Sequence, residues 1–170
     1  MTLQELNQLS ANDANHAFMQ CCTASTWVEA MVESRPFADE ATLYRAADQH
    51  WQGLSESDYL EAFEGHPKIG DVNSLRAKYA NTKALASGEQ SAVNAASEQV
   101  LNDLAKGNSD YESKFGFIFI VCATGKSAEQ MLALLQARLP NERPQELVNA
   151  AEEQRRIFHL RLDKCLGKSL

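Results

Sequence analysis

Apolar residues recur at helical spacing along most of the chain, and helix-start signals punctuate them. Thr2-x-x-Glu5 is a capping box. Asp13 is placed to cap a helix carrying Ala17, Phe18, Cys21 and Cys22, and Trp27, Val28 and Met31 continue the spacing until Pro36 stops it. Asp39 opens a helix with Leu43, Ala46, Ala47 and Trp51 on one face. Ser55-x-x-Asp58 opens a short one through Tyr59, Leu60 and Phe63, which Gly65 is placed to end in a left-handed conformation. A short helix is expected around Ser74 to Tyr79. The capping box Ser87-x-x-Gln90 predicts another, through Val93, Val100, Leu101 and Leu104 to Gly107, and Ser109-x-x-Glu112 a further turn. Ser127-x-x-Gln130 opens a helix through Met131, Leu132, Leu134, Leu135 and Leu139, ahead of Pro140. Pro144 suits the first turn of a last helix, with Leu147, Ala151, Phe158, Leu162 and Cys165 on one stripe.

One segment departs from this pattern. Phe115-Gly116-Phe117-Ile118-Phe119-Ile120-Val121-Cys122-Ala123 is almost wholly apolar. Its β-branched and aromatic content suits a strand, and its length also allows a buried helix. No other segment reads as a strand partner, so it is expected to be the central buried segment of an all-α protein, a single-domain multi-helix bundle over residues 1–170.

Composition narrows the class. The chain has 170 residues, 44% hydrophobic and 23% charged, as expected for one globular domain with its own core. Its longest apolar run is about half of the roughly 20 residues needed to cross a bilayer, so no membrane partner is expected. Met1-Thr2-Leu3-Gln4-Glu5 has no basic patch leading into an apolar stretch, which predicts no signal peptide. Lys168-Ser169-Leu170 has the letters of a peroxisomal tag in the wrong order, and the expected location is cytoplasmic. A net charge of −7 without a basic stripe argues against nucleic acid as a partner, and a small anionic substrate would need a local cationic pocket. Cys21, Cys22, Cys122 and Cys165 form no Cys-x-x-Cys pair and read as buried free thiols.

Four groups of residues carry candidate chemistry. Gly125-Lys126-Ser127 follows an apolar run and opens a helix, as a phosphate-binding loop does, but the first glycine of that motif would fall on Ile120, which cannot replace it. Among His16, His50, His66 and His159 no pair has metal-ligand spacing, so no metal is expected. His66 differs from the other three. It lies past a helix end and before Pro67, so its backbone is pushed into an extended conformation, and its imidazole can serve as acid, base or hydrogen-bond donor. A loop histidine can equally be a surface residue. Glu89 and Gln90 suit the first turn of a helix for dipole and capping reasons; Glu89 could also accept N–H donors from a polar ligand there. In the last helix, Arg156 points away from the apolar stripe while Arg155 and Arg161 flank it on opposite edges. Either could cover apolar surface with its stem or aim a fork of donors at a carboxylate or urea-like carbonyl, and spacing does not choose between them.

Taken together, Gly65-His66-Pro67-Lys68-Ile69-Gly70-Asp71, Glu89-Gln90, Phe115-Gly116-Phe117-x-Phe119-x-x-Cys122-Ala123 and Leu160-Arg161-Leu162 resemble the 2-oxo-4-hydroxy-4-carboxy-5-ureidoimidazoline (OHCU) decarboxylases in order, spacing and length. The His-Pro-Lys-Ile-Gly-Asp and Phe-Gly-Phe blocks are specific in combination. The resemblance implies an all-helical homodimer with no metal or organic cofactor, which converts OHCU to (S)-allantoin with loss of carbon dioxide in the last step of urate breakdown. It puts the family's catalytic residues on His66, Glu89 and Arg161. It puts substrate contacts on Pro67, Gln90 and the backbone of Phe117, Ile118, Phe119, Ile120 and Val121. The family's serine three places before the glutamate is Ala86 here, and Ser87 follows one place later, so the hydroxyl contact either shifts to Ser87 or is missing. A rival class is a non-catalytic helical interaction module, with His66 a turn residue and Arg161 a core-margin cation. A third is nucleotide hydrolysis through Gly125-Lys126-Ser127.

Overall fold

The computed structural model describes residues 1–67, 71–80 and 90–169, without the side chains of 80 and 90–97. Every regular element among them is an α-helix: α1 (Leu3–Gln8), α2 (Ala11–Met19), α3 (Ser25–Glu33), α4 (Glu40–Trp51), α5 (Glu56–Glu64), α6 (Val72–Ala80), α7 (Gln90–Phe115), α8 (Ala128–Arg138) and α9 (Arg143–Cys165). No helix among the described residues is long and apolar enough to cross a membrane. The chain forms two compact units, Met1–His66 with Ala150–Leu170, and Pro67–Asn149.

The first unit is built on aromatic side chains. Phe158 of α9 packs against Trp27 of α3 and Trp51 of α4, with ring centroids 5.0 and 5.6 Å apart. Both indole N–H groups donate to backbone carbonyls, Trp27 to Ala47 and Trp51 to Ala151, each at 3.0 Å, so burying the rings leaves no donor unmet. Burial of each such ring contributes on the order of 1.5–3 kcal/mol. The buried stripe of α9 is Ala150, Gln154, Phe158 and Leu162, each fully inaccessible. The expected members Leu147, Ala151 and Cys165 lie at its margin.

Two details of this unit differ from the sequence expectation. The helix expected to carry Cys21 and Cys22 stops at Met19, and both cysteines lie in the following turn, where their N–H groups donate to the Phe18 carbonyl. That helix is capped by Ser10, whose hydroxyl accepts from the Asp13 N–H, so Asp13 is inside the first turn. Hydrophobic spacing missed the break because α2, the turn and α3 all bury side chains in one core. Gly65 does follow α5, but with φ −71 it is right-handed. Its missing side chain answers a need for space: a Cβ there would lie 2.1 Å from Thr23 Oγ1.

In the second unit, α7 runs through Gly107 and Ser109, where a helix end and a new start were expected, and ends at Phe115. Gly107 is again a matter of room, since a Cβ would lie 2.5 Å from Cδ2 of the buried Leu135 on α8. The segment after Gly116 is neither strand nor helix. Phe117 and Ile120 are buried, while Ile118, Phe119 and Val121 are half-buried. Irregular backbone inside a domain needs partners for its polar groups. Arg138 supplies one, donating from Nη1 to the Ile120 carbonyl at 2.7 Å.

Arg138 is held in turn by Glu146, a fully buried carboxylate on α9. Burial alone would raise the pKa of Glu146. Hydrogen bonds from Asn141, Tyr111, Asn149 and Arg138 outweigh this and hold it below the usual carboxylate range. Glu146→Ala removes the acceptor from all four donors and should cost about 3–5 kcal/mol in urea unfolding. A loss below about 1 kcal/mol would show that the cluster does not hold this unit together.

Candidate active site

The position of His66 follows from the turn that precedes it. Helix α5 ends at Glu64, the Gly65 N–H donates to the Ala62 carbonyl, and the His66 N–H donates to the Phe63 carbonyl at 3.2 Å. The turn leans on the connector between α2 and α3, because Thr23 donates from Oγ1 to the carbonyls of Glu61 and Ala62 at 3.1 and 3.4 Å. Only a residue without a side chain lets Thr23 come this close at position 65. Pro67 follows, exposed.

The half-buried imidazole meets α9 at Gln154. His66 Nε2 lies 2.5 Å from Gln154 Oε1. An amide oxygen can only accept, so Nε2 carries the proton. Burial lowers the pKa of His66 below 6.5; the Gln154 hydrogen bond pulls it up, and the positive charge of Arg161 pushes it down again. The ring is therefore neutral at neutral pH, and with Nε2 protonated its Nδ1 carries the lone pair.

The two flanking arginines have different surroundings. Arg155 is committed to carboxylates, with Glu152 at 2.9 Å and Asp48 at 3.4 Å. Arg161 donates from Nη1 to the Cys21 carbonyl at 3.3 Å and pairs with no carboxylate among the described residues. Its charge acts on His66 and on the thiols of Cys21 and Cys22. Arg161 is thus the arginine that the tertiary structure brings to His66.

Burial pushes Cys21 up to about 12 and Cys22 up to about 11 despite that neighbouring cation, so both thiols stay protonated. Lys126 donates to the Cys122 carbonyl at 2.6 Å, and Ser127 caps α8 with a capping box to Gln130. Lys126 and Ser127 of the phosphate-loop look-alike thus have local structural duties. Lys68, Ile69, Gly70, Ala86, Ser87, Glu89 and the side chain of Gln90 lie outside the described residues, as does the capping box expected at Ser87.

Sequence reading missed Gln154. The signal was present: Ala150, Gln154, Phe158 and Leu162 are four residues apart, and one of them is polar. Its Nε2 is buried and has no hydrogen-bond partner among the described residues. Leaving such a donor unmet costs about 1–3 kcal/mol, so a glutamine here is a poor choice for packing alone.

Two measurements check this description. His66 should titrate below 6.5 by NMR. A histidine whose folded pKa is depressed binds its proton more readily when unfolded, so its stabilisation is present above pH 6.5 and is lost as pH falls through that value. The decline of Tm on acidification through this range should be shallower in His66→Asn, and an identical slope would contradict the shift. Cys21 and Cys22 should resist iodoacetamide in the native protein at pH 8 and react once it is unfolded; rapid native labelling of either would contradict their burial.

Comparison with known proteins bears on the same residues. The family model for OHCU decarboxylase matches residues 7–163. The chain is 36% identical over 147 residues to the uric acid degradation bifunctional protein TTL of Arabidopsis thaliana, covering 86% of this chain and 45% of that protein. It is 30% identical to the 2-oxo-4-hydroxy-4-carboxy-5-ureidoimidazoline decarboxylase of Amia calva, covering 98% of this chain and 95% of the relative. The chain spans less than half the length of the first curated relatives it matches, 45% of the plant protein and 32% of a bifunctional relative from Bacillus sp.. A crystal structure of an OHCU decarboxylase in the presence of (S)-allantoin superposes with a TM-score of 0.68 at 34% identity, covering 89% of this chain and 97% of that one. The match takes in the His66 turn, the Phe117–Val121 segment and Arg161 within one continuous stretch, and by it this chain belongs to the OHCU decarboxylase family.

Proposed function

We propose that this chain decarboxylates OHCU to (S)-allantoin, with His66, Glu89 and Arg161 as its catalytic residues. The observation that carries the reading is the imidazole itself: neutral, oriented through Nε2, and under the charge of an arginine that has no carboxylate partner among the described residues. The substrate bears a hydroxyl and a carboxylate on one ring carbon, beside a carbon bearing a ureido group. Loss of carbon dioxide leaves an electron pair that the adjacent unsaturated system absorbs, and a proton must then reach one face of the ring.

In this reading His66 contacts the hydroxyl or carboxylate at the reacting carbon and assists bond cleavage. Arg161 anchors a carbonyl or anionic edge with its guanidinium, supplying cationic character that a chain of net charge −7 lacks overall. Glu89 holds ureido or ring N–H groups. Pro67, Ser87 in place of the serine missing at Ala86, Gln90 and the peptide groups of Phe117, Ile118, Phe119, Ile120 and Val121 complete the contacts. The Ile120 carbonyl also accepts from Arg138. Donors fixed in advance around a small polar ring stabilise developing charge without reorganisation.

The reading also includes a homodimer, a cytoplasmic location, a single domain over residues 1–170 and no metal or organic cofactor. The single match over residues 7–163, which runs through both compact units, supports the one-domain part.

The test generates OHCU in situ and follows its decay and the optical activity of the allantoin formed. The wild-type chain should speed the decay and yield the (S) enantiomer, with a rate unchanged after EDTA treatment. His66→Asn and Arg161→Gln should each lose at least about 100-fold in kcat/KM while keeping the far-UV circular dichroism of the parent. Racemic allantoin formed at the uncatalysed rate would overturn the proposal, and near-parental turnover by a folded His66→Asn would remove His66 from it.

A further inference from the structure

Gln154 occupies the centre of the buried stripe of α9, between Ala150 and Phe158. An apolar residue would satisfy that position without an unmet donor. What the glutamine does there is accept from His66 Nε2 through Oε1, while its own Nε2 stays buried with no hydrogen-bond partner among the described residues. Its amide is inaccessible to solvent, so it reaches a ligand only through the ring it holds.

We propose that Gln154 is a positioning residue, whose Oε1 selects the His66 tautomer with its proton on Nε2 and so presents Nδ1 as the ring's acceptor to the substrate. The inference deepens the decarboxylase reading and rests on it for the word substrate; its control of the ring is independent of turnover. The chemistry of the side chain explains the choice. A carboxylate at position 154 would favour the imidazolium, and an apolar side chain would leave ring rotation and tautomer unselected. A neutral amide oxygen orients the imidazole and leaves it uncharged.

The groups around the ring are consistent with that role. From α9 the facing charge is Arg161. The connector between α2 and α3 brings the protonated thiols of Cys21 and Cys22 under the same guanidinium. On α5 the nearest acid in sequence with a described bond is Glu61, whose carboxylate accepts from the Ser25 N–H. Among these groups the amide oxygen of Gln154 is the one that holds the Nε2 proton.

The test uses the full chain labelled with 15N-histidine. At neutral pH the wild-type His66 should show a protonated Nε2 and an unprotonated Nδ1. Gln154→Leu should lose that selection and mix the tautomers, with kcat down at least about tenfold and KM changed much less. Gln154→Glu should move the acidic limb of the kcat/KM profile upward by about one pH unit or more, a shift that a purely packing role would not produce. A wild-type ring protonated on Nδ1 would overturn the proposal, as would a Gln154→Leu protein with parental tautomer and kcat. If Gln154→Leu does not fold, the wild-type spectrum and the Gln154→Glu profile decide the matter. Tautomer selection that depends on Gln154 in a chain that leaves OHCU untouched would uphold control of the ring and sink the decarboxylase reading instead.

Discussion

A hydrogen bond between one half-buried ring and one fully buried amide organises the candidate site. His66 comes from the end of α5 and Gln154 from the middle of α9, 88 residues apart in sequence. The bond forms only if both elements are placed to a fraction of an ångström. On the α5 side, Gly65 lets Thr23 sit against the turn. On the α9 side, Phe158, one helical turn beyond Gln154, is locked between two tryptophans. The aromatic core thus serves the site, since a rigid α9 sets both the amide that orients the ring and the guanidinium that acts on it.

Charge and burial work together at the ring. Burial disfavours the imidazolium, and the positive charge of Arg161 disfavours it further. Because both effects keep the ring neutral, its two nitrogens have opposite roles, and the roles are assigned by whichever partner meets Nε2. An oxygen there leaves a base at Nδ1. Arg155, on the other edge of the stripe, is placed differently: Glu152 and Asp48 already take its donors.

The second unit solves a different problem, irregular backbone beneath side chains. The segment from Phe117 to Val121 has no ladder or helix to satisfy its peptide groups. Arg138 takes the Ile120 carbonyl, Glu146 fixes Arg138, and Tyr111, Asn141 and Asn149 complete the coordination of Glu146. A buried carboxylate is expensive to desolvate, and four donors are what make it tolerable. Non-helical backbone can then persist inside an otherwise helical unit.

Local physics carried much of this protein in its sequence. The capping boxes at Thr2, Ser55 and Ser127, the all-helical class, the turn before Pro67 and the motif blocks that mark the family are all decided by neighbours a few residues apart, and these were legible. Tertiary structure alone decided the break after Met19, the uninterrupted run of α7 through Gly107, the right-handed backbone at Gly65, the different partners of Arg155 and Arg161, and the meeting of Gln154 with His66. The division has one physical cause. Spacing records which face of a helix is buried, but a glycine that makes room for a distant side chain, or a glutamine that orients a distant imidazole, owes its identity to a partner that comes near only when the chain has folded.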